Sequence, residues 1–344
     1  MKIGIYGCGA MGTVMGALLT KNGCPVELID NYKDHVDAMN EKGAHIVGFM
    51  DEFIPVKAFL PEQIEGIYDV LFIFTKQTAN NAILPNIKKH IDEKTTICTL
   101  QNGVPEPFWA ENLGADRVCG GTVLWGATFW SPGVSELTQD LSKTDHTFEI
   151  GQFNGEIGPH IERVKAILEQ MGRPVHVTTQ LMQSRWSKLI NNACMSGMSA
   201  VGGCTFGEVL DDPKAIKCLV YIGHEVKACA NAEGYSIPPM FGVYNMDCLD
   251  LKDEAQFDEG IAAFLGVYDG LRTAKASMLQ DLEKDRKCEV SMINGYVCQI
   301  GDKHGIDTPF CDKAVEIITK IENHELKLTK DNFALFTDDM FYLK

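Results

Sequence analysis

The sequence predicts an α/β N-terminal domain built on a doubly wound, mostly parallel sheet, followed by an all-α C-terminal domain. Three observations predict it. Short β-branched or apolar runs alternate with amphipathic stretches through the first half: IGIY at Ile3, PVELID ending at Asp30, DVLFIFT ending at Thr75, TTICTL ending at Leu100 and VCGGTVLW ending at Trp125. A glycine-rich turn, GCGAMG from Gly7 to Gly12, joins the first run to a helical segment. From Gln180 onward the apolar residues recur at helical spacing in long segments instead.

The alternation in the first half is the rhythm of βαβ units, and HTFEIGQF and PVHVT read as late strands that close this domain at Thr178. The helical pattern is broken at SIPP near Pro238, at the acidic LDLKDEAQFDE stretch and at GIDTP near Pro309. The expected division is therefore 1–178 for the first domain, 179–330 for the second and 331–344 for a tail. That tail mixes aromatic and acidic residues without a clear period.

The bulk properties narrow the function classes. A chain of 344 residues accommodates two domains with separate cores, and 45% hydrophobic with 23% charged residues is the balance of a soluble globular protein. No segment has the length and apolarity to span a bilayer, and MKIGIYGCGAMG lacks the layout of a secretory signal, so the expected compartment is the cytoplasm. The twelve cysteines are scattered without a C-x-x-C pair, and Cys194 and Cys298 lie in apolar runs, which predicts reduced, buried thiols. Nine dispersed histidines without an H-E-x-x-H pattern give no reason to expect a metal. A net charge of −16 disfavours a nucleic-acid partner and requires a local positive site for any anionic substrate.

The turn after the first strand predicts a dinucleotide. Gly7 permits the tight turn, Gly9 lets the backbone of Gly9, Ala10 and Met11 approach a pyrophosphate, and Gly12 lets helix and strand pack closely. The helix N-terminus that follows favours phosphate charge. Asp30 closes the next strand at the distance expected for a ribose contact, where a 2′-phosphate meets a like charge at a cost of roughly 4 kcal/mol. The expectation is NADH in preference to NADPH, with Lys33 nearby to soften the discrimination. Lys76 and Asn102 follow the third and fourth of the quoted runs, at the carboxyl edge of the sheet where ligands bind in such folds.

The second half carries the candidate chemistry. In SRWSKLINNACMSGMSAVGGCTFG, Lys188 is the sole charged residue from Trp186 to Gly207, which marks it as bordering a cleft rather than facing water. Asn192 lies one turn on and Ser196 extends the line. A partly desolvated ammonium gives up its proton more readily and suits protonation of a carbonyl oxygen as hydride reaches the carbon. Downstream, ASMLQDLEKDRKCEVSMINGYV supplies Ser277, Asp281, Glu289 and Asn294; Glu289 alone reads equally as a first-turn residue that complements a helix dipole.

Taken together, GCGAMG, the Thr-Lys at Lys76, LQNG with Asn102, WSKLINNA, SMLQD and EVSMING resemble the ketopantoate reductase (2-dehydropantoate 2-reductase) family, and the similarity runs to about Pro309. The resemblance implies a Rossmann domain followed by a helical domain of the 6-phosphogluconate dehydrogenase C-terminal type. It implies reduction of a 2-oxo acid, ketopantoate in the usual member, to an (R)-2-hydroxy acid. It further implies Lys188 as general acid, with Glu289 orienting substrate or lysine. Asn192 and Ser196 would bind substrate, Ser277 would bind its carboxylate, and Asn102 with Lys76 would hold the cofactor and the reacting carbonyl. The chain departs from the family at three places. Ser196 stands where a second asparagine is frequent, Asp30 where many members carry a basic residue, and Ser291-Met292 where Asp-Tyr is usual. Asp30 and Ser196 leave open a second enzyme reading, an NAD-linked (R)-2-hydroxyacid dehydrogenase for bulkier branched or aromatic acids. A non-catalytic NAD(H) sensor accounts for the turn but not for Lys188, and the turn motif also allows a flavin enzyme. Monomer and homodimer are both compatible with the sequence.

Overall fold

The computed structural model describes residues 1–240 and 243–343, and the chain divides into two compact units, Met1–Leu181 and Met182–Lys344. The strands of the first unit are β1 (Ile3–Tyr6), β2 (Glu27–Ile29), β3 (Ala44–Gly48), β4 (Glu52–Ile54), β5 (Lys57–Phe59) and β6 (Val70–Ile73), then β7 (Thr96–Thr99), β8 (Val118–Val123), β9 (Ala127–Ser131), β10 (Val134–Leu137), β11 (Phe148–Gln152) and β12 (Val175–Val177). Eight of them form one sheet in the order β12-β11-β8-β7-β6-β1-β2-β5. Its neighbours run parallel except β8 and β11. Strands β1, β6 and β7 are buried along their whole length, as a strand covered on both faces must be, and this is why their sequences read as unbroken runs. From β1 the chain builds outward through β2 and β5, then returns to add β6, β7 and β8 on the other side. The reversal falls between β1 and β6, the switch point at whose carboxyl end ligands bind in doubly wound sheets.

The other four strands make a second, smaller sheet, β4-β3-β10-β9, which the alternating pattern of the first half does not reveal. Its strands are only three to five residues long. A signal for it does exist in the helix Ala10–Lys21, whose residues from Gly12 to Leu19 are all buried. A helix apolar on every side needs cover on every side. This one touches β1 and β2 of the large sheet as well as β3, β9 and β10 of the small one.

One buried histidine ties these layers to the turn after β1. His35, on the helix Lys33–Lys42, accepts the Gly133 N–H at Nδ1 (2.8 Å), in the turn between β9 and β10. That bond leaves the ring proton on Nε2, which donates to the Cys8 carbonyl at 2.7 Å. The Thr13 hydroxyl donates to the same carbonyl at 2.6 Å.

The second unit is helical, and among the described residues its only β pairing is the isolated bridge Met240–Tyr244. Ala215–Ala232 is its long central helix, with Tyr221 stacked on Phe310 of the helix Pro309–Glu322 at a centroid distance of 4.4 Å. Glu225 on the central helix accepts the N–H groups of Phe310 and Cys311, both at 2.8 Å, and so caps the helix that packs beside it. The acidic stretch near Asp253, expected as a break, starts a helix instead. Asp253 caps Glu254–Tyr268 by accepting the Gln256 N–H, and acidic residues favour a helix N-terminus. The C-terminal residues set apart as a tail belong to this unit: Phe333 and Phe336 are buried, and Asn332 donates to the carbonyls of Val201 and Lys327, both at 2.9 Å. None of the twelve cysteines forms a disulfide, and ten are buried.

Burial holds the His35 pKa below its ordinary value, against the raising effects of the Cys8 carbonyl and Asp30. The unfolded chain therefore binds a proton that the folded chain refuses. Stability contributed by neutral His35 is present above the ordinary histidine range and is lost as pH falls from there toward the lowered folded value. His35→Gln should cost about 1–3 kcal/mol at pH 8 through the partners left unpaired, and its melting temperature should fall less steeply than wild type between pH 7 and 5. Parallel pH profiles from thermal denaturation would contradict the assignment.

Candidate active site

The turn after β1 has the shape that a pyrophosphate requires. Gly7 sits at φ +98°, a left-handed conformation that side chains resist, and a Cβ there would run into the Thr75 backbone at the end of β6. A Cβ on Gly12 would strike the Gly7 carbonyl, so helix and turn close directly on one another. Around Gly9 the situation is reversed, and a Cβ there would meet no protein atom within 4 Å. Gly9 caps the helix Ala10–Lys21, and no side chain satisfies its first N–H groups. An open, uncapped helix start with Ala10 and Met11 in its first turn fits a phosphate group, and these residues would hold a dinucleotide by its pyrophosphate.

Asp30 does more than sequence reasoning assigned to it. One carboxylate oxygen accepts the Cys8 N–H at 2.7 Å and the other the Tyr32 N–H at 2.9 Å, so the residue shapes the glycine turn itself. It remains partly exposed, and each oxygen retains a lone-pair direction for a ribose hydroxyl.

Lys76 and Asn102 stand in the loops after β6 and β7, both partly buried. Gln101, which sequence reasoning passed over, holds these loops together. Its Nε2 donates to Thr75 O (2.9 Å) and Asn80 Oδ1 (2.7 Å), while its Oε1 accepts from Trp109 Nε1 and the Thr99 hydroxyl, both at 2.9 Å. The Gln77 side-chain amide adds a bond to the Asn102 carbonyl. A buried glutamine with donors and acceptors both engaged fixes the backbone on either side of it, which keeps Lys76 and Asn102 at a constant separation. The only sequence trace of this role is its position between an apolar strand and Asn102.

In the second unit Lys188 lies on the helix Leu181–Asn191. It keeps some accessible surface, yet protein atoms crowd it closely, and that desolvation, with a smaller contribution from the Arg185 guanidinium one turn earlier, lowers its pKa to about 8. Arg185 is itself buried and is a second functional candidate that a reading begun at Trp186 overlooks. After Asn191 the helix widens into a π turn, Asn192–Ser196, and resumes as Gly197–Gly202. Asn192 is partly buried and Ser196 buried. Beside them Asn191 accepts the Tyr268 hydroxyl.

Ser277 is the first residue of the helix Ser277–Glu283 and is exposed. Glu289 is partly buried and precedes the short 3-10 turn Val290–Met292, five residues ahead of the helix Asn294–His304. It is therefore no first-turn α-helix residue, and the dipole reading does not apply to it. Among the described residues no group of three or more His, Cys, Asp or Glu side chains could hold a metal ion, and no helix is long and apolar enough to cross a membrane.

The profile of the family described as ketopantoate reductase PanE/ApbA matches residues 3–155, and that of ketopantoate reductase PanE/ApbA C terminal matches residues 180–322. The 2-dehydropantoate 2-reductase of Streptococcus pyogenes serotype M3 is 26% identical over 325 residues, covering 92% of this chain and 97% of the relative. Among solved structures, 2-dehydropantoate 2-reductase from Geobacter metallireducens GS-15 superposes with a TM-score of 0.76 at 26% identity, covering 93% of this chain and 99% of that one. D-mandelate dehydrogenase, solved as a ternary structure with NADH and anilino(oxo)acetate, gives a TM-score of 0.79 at 25% identity over 94% and 99% of the two chains.

Proposed function

We propose, because the chain belongs to the ketopantoate reductase family, that it reduces a 2-oxo acid to an (R)-2-hydroxy acid, with 2-dehydropantoate as the first candidate substrate. Members of this family are oxidoreductases acting on CH–OH groups, and this enzyme is one of them. The observation that carries the reading is Lys188, a desolvated ammonium with a pKa lowered to about 8, on a helix otherwise free of charge from Trp186 to Gly207.

A bound nicotinamide dinucleotide supplies the hydride to the carbonyl carbon. Lys188 then does the proton work: its ammonium points a donor at the carbonyl oxygen, gives up the proton as negative charge builds there, and recovers one from solvent after product leaves. Asn192 and Ser196 would hold the substrate's oxygens, Ser277 its carboxylate, and Glu289 would orient Lys188 or the substrate. Gly7, Gly9, Ala10, Met11 and Gly12 would cradle the pyrophosphate, with Lys76 and Asn102 directing the reacting end. Arg185 places a positive charge one turn from Lys188 and makes release of the lysine's proton easier. Twelve cysteines without a disulfide suit a reducing compartment, in keeping with a cytoplasmic reductase.

Asp30 supports NADH as the preferred donor, because its carboxylate would lie against a 2′-phosphate. The same residue supports a second reading, an NAD-linked (R)-2-hydroxyacid dehydrogenase for bulkier acids. The likeness to D-mandelate dehydrogenase, which was solved with NADH, favours it too.

Steady-state rates with NADH and NADPH on ketopantoate, 2-oxoisocaproate and benzoylformate separate these readings. Higher kcat/KM with NADH is expected, and a clear NADPH preference would overturn the role given to Asp30; negligible turnover of ketopantoate beside rapid turnover of benzoylformate would transfer the assignment to the second reading. Lys188→Ala should lower kcat by about 10²–10⁴-fold while NADH binding, followed by fluorescence, stays within twofold. Because the protonated lysine is the donor, reduction should be fast below pH 8 and fall as pH rises through about 8. A rate that instead climbs across that range would rule out Lys188 as the acid.

A further inference from the structure

The wide turn after Asn191 changes which residues share a face with Lys188. In a regular α-helix each residue advances about 100°, so Asn192 lies about 40° from Lys188 and Ser196, eight residues on, about 80° away. A π turn absorbs one extra residue, so Ser196 takes the place of a seventh residue and falls about 20° from Lys188 on the opposite side. The turn thereby brings Ser196 from about 80° to about 20° of Lys188 and keeps Lys188, Asn192 and Ser196 within about 60° of one another, against about 80° in a regular α-helix.

That turn leaves one backbone group without its helical donor. The Gly197 N–H, which in an α-helix would pair with Ala193 O, reaches back five residues to Asn192 O. Asn294 fills the gap: its Nδ2 donates to Ala193 O at 3.0 Å from the first residue of the helix Asn294–His304. Asn294 is fully buried, and its Oδ1 has no hydrogen-bond partner among the described residues, so a costly polar group is kept inside for what its other end does. Gly197 makes room for it, since a Cβ there would come within 3.2 Å of Oδ1 and 3.4 Å of Nδ2.

We propose that Asn294 is a positioning residue for the substrate: by satisfying the Ala193 carbonyl it holds the π turn open and keeps Ser196 on the stripe that carries Lys188 and Asn192. The proposal rests on the reading that this stripe binds the oxo acid. Asn294 touches no substrate in this scheme; it acts through Ser196 and Asn192, so its loss weakens oxo-acid binding more than it slows proton transfer.

Two variants test it from opposite sides. Asn294→Leu removes the donor, and Gly197→Ala leaves the donor intact but crowds the amide from its seat. Alanine for glycine inside a helix ordinarily stabilises by up to about 1 kcal/mol, so Gly197→Ala separates positioning from folding should Asn294→Leu fail to fold. Both are expected to raise KM for the preferred 2-oxo acid about tenfold, with kcat and NADH affinity within about threefold of wild type. Hydrogen exchange in peptides spanning residues 192–198 should quicken in both. Wild-type KM together with wild-type exchange in folded Gly197→Ala would overturn the proposal. Should the wild type reduce none of the three oxo acids, the functional reading fails by itself. The exchange data then decide alone: faster exchange upholds Asn294 as the clamp on the turn, and unchanged exchange rejects it.

Discussion

Both polar groups of the Cys8 peptide are held from outside the turn they belong to. The N–H goes to Asp30 at the end of β2, and the carbonyl receives the Thr13 hydroxyl and the His35 ring. Gly7, forced into a left-handed conformation against the end of β6, and Gly12, closed on the Gly7 carbonyl, leave this peptide no other arrangement. The glycine turn is thus fixed by three elements, and its open helix start has a shape that would accept phosphate at little further entropic cost. His35 extends the constraint to the small sheet through Gly133, which is why that sheet, though far from the switch point in sequence, bears on the site.

What the sequence made legible follows from the range over which a signal acts. Strand and helix periods and the glycine spacing are local, and the doubly wound sheet, its switch-point loops and the helical second unit could be read from them. The small sheet could not, because β3 pairs with β10 across more than eighty residues and neither strand has a distinctive pattern of its own. Contacts such as His35 with Gly133 and Asn294 with Ala193 join residues about a hundred positions apart, and no periodicity links them. Asp30 shows the other kind of gap. Its spacing pointed to a ribose contact, but its two bonds to backbone N–H groups depend on the folded path of the turn.

The grouping of Lys188, Asn192 and Ser196 on one stripe depends on an irregular backbone. Spacing by four suggests a common face, yet two such steps drift by about 80° in a regular α-helix. The π turn brings Ser196 back to about 20° from Lys188 at the expense of a helical hydrogen bond, and a buried amide from a distant helix replaces it. Irregularities of this kind concentrate at functional sites because the regular helix cannot deliver the same alignment.

Charge completes the logic of that stripe. Arg185 and Lys188 stand one turn apart on the helix Leu181–Asn191 of a chain with net charge −16. Burial first, and then the Arg185 charge, lower the Lys188 pKa to about 8, so this arrangement readies the ammonium to release a proton. A carboxylate bound nearby would favour the charged lysine again, holding the proton in place until the carbonyl oxygen gains its negative charge. The acid would then be most firmly protonated in the complex that needs it, and weakest once the product oxygen has taken the proton.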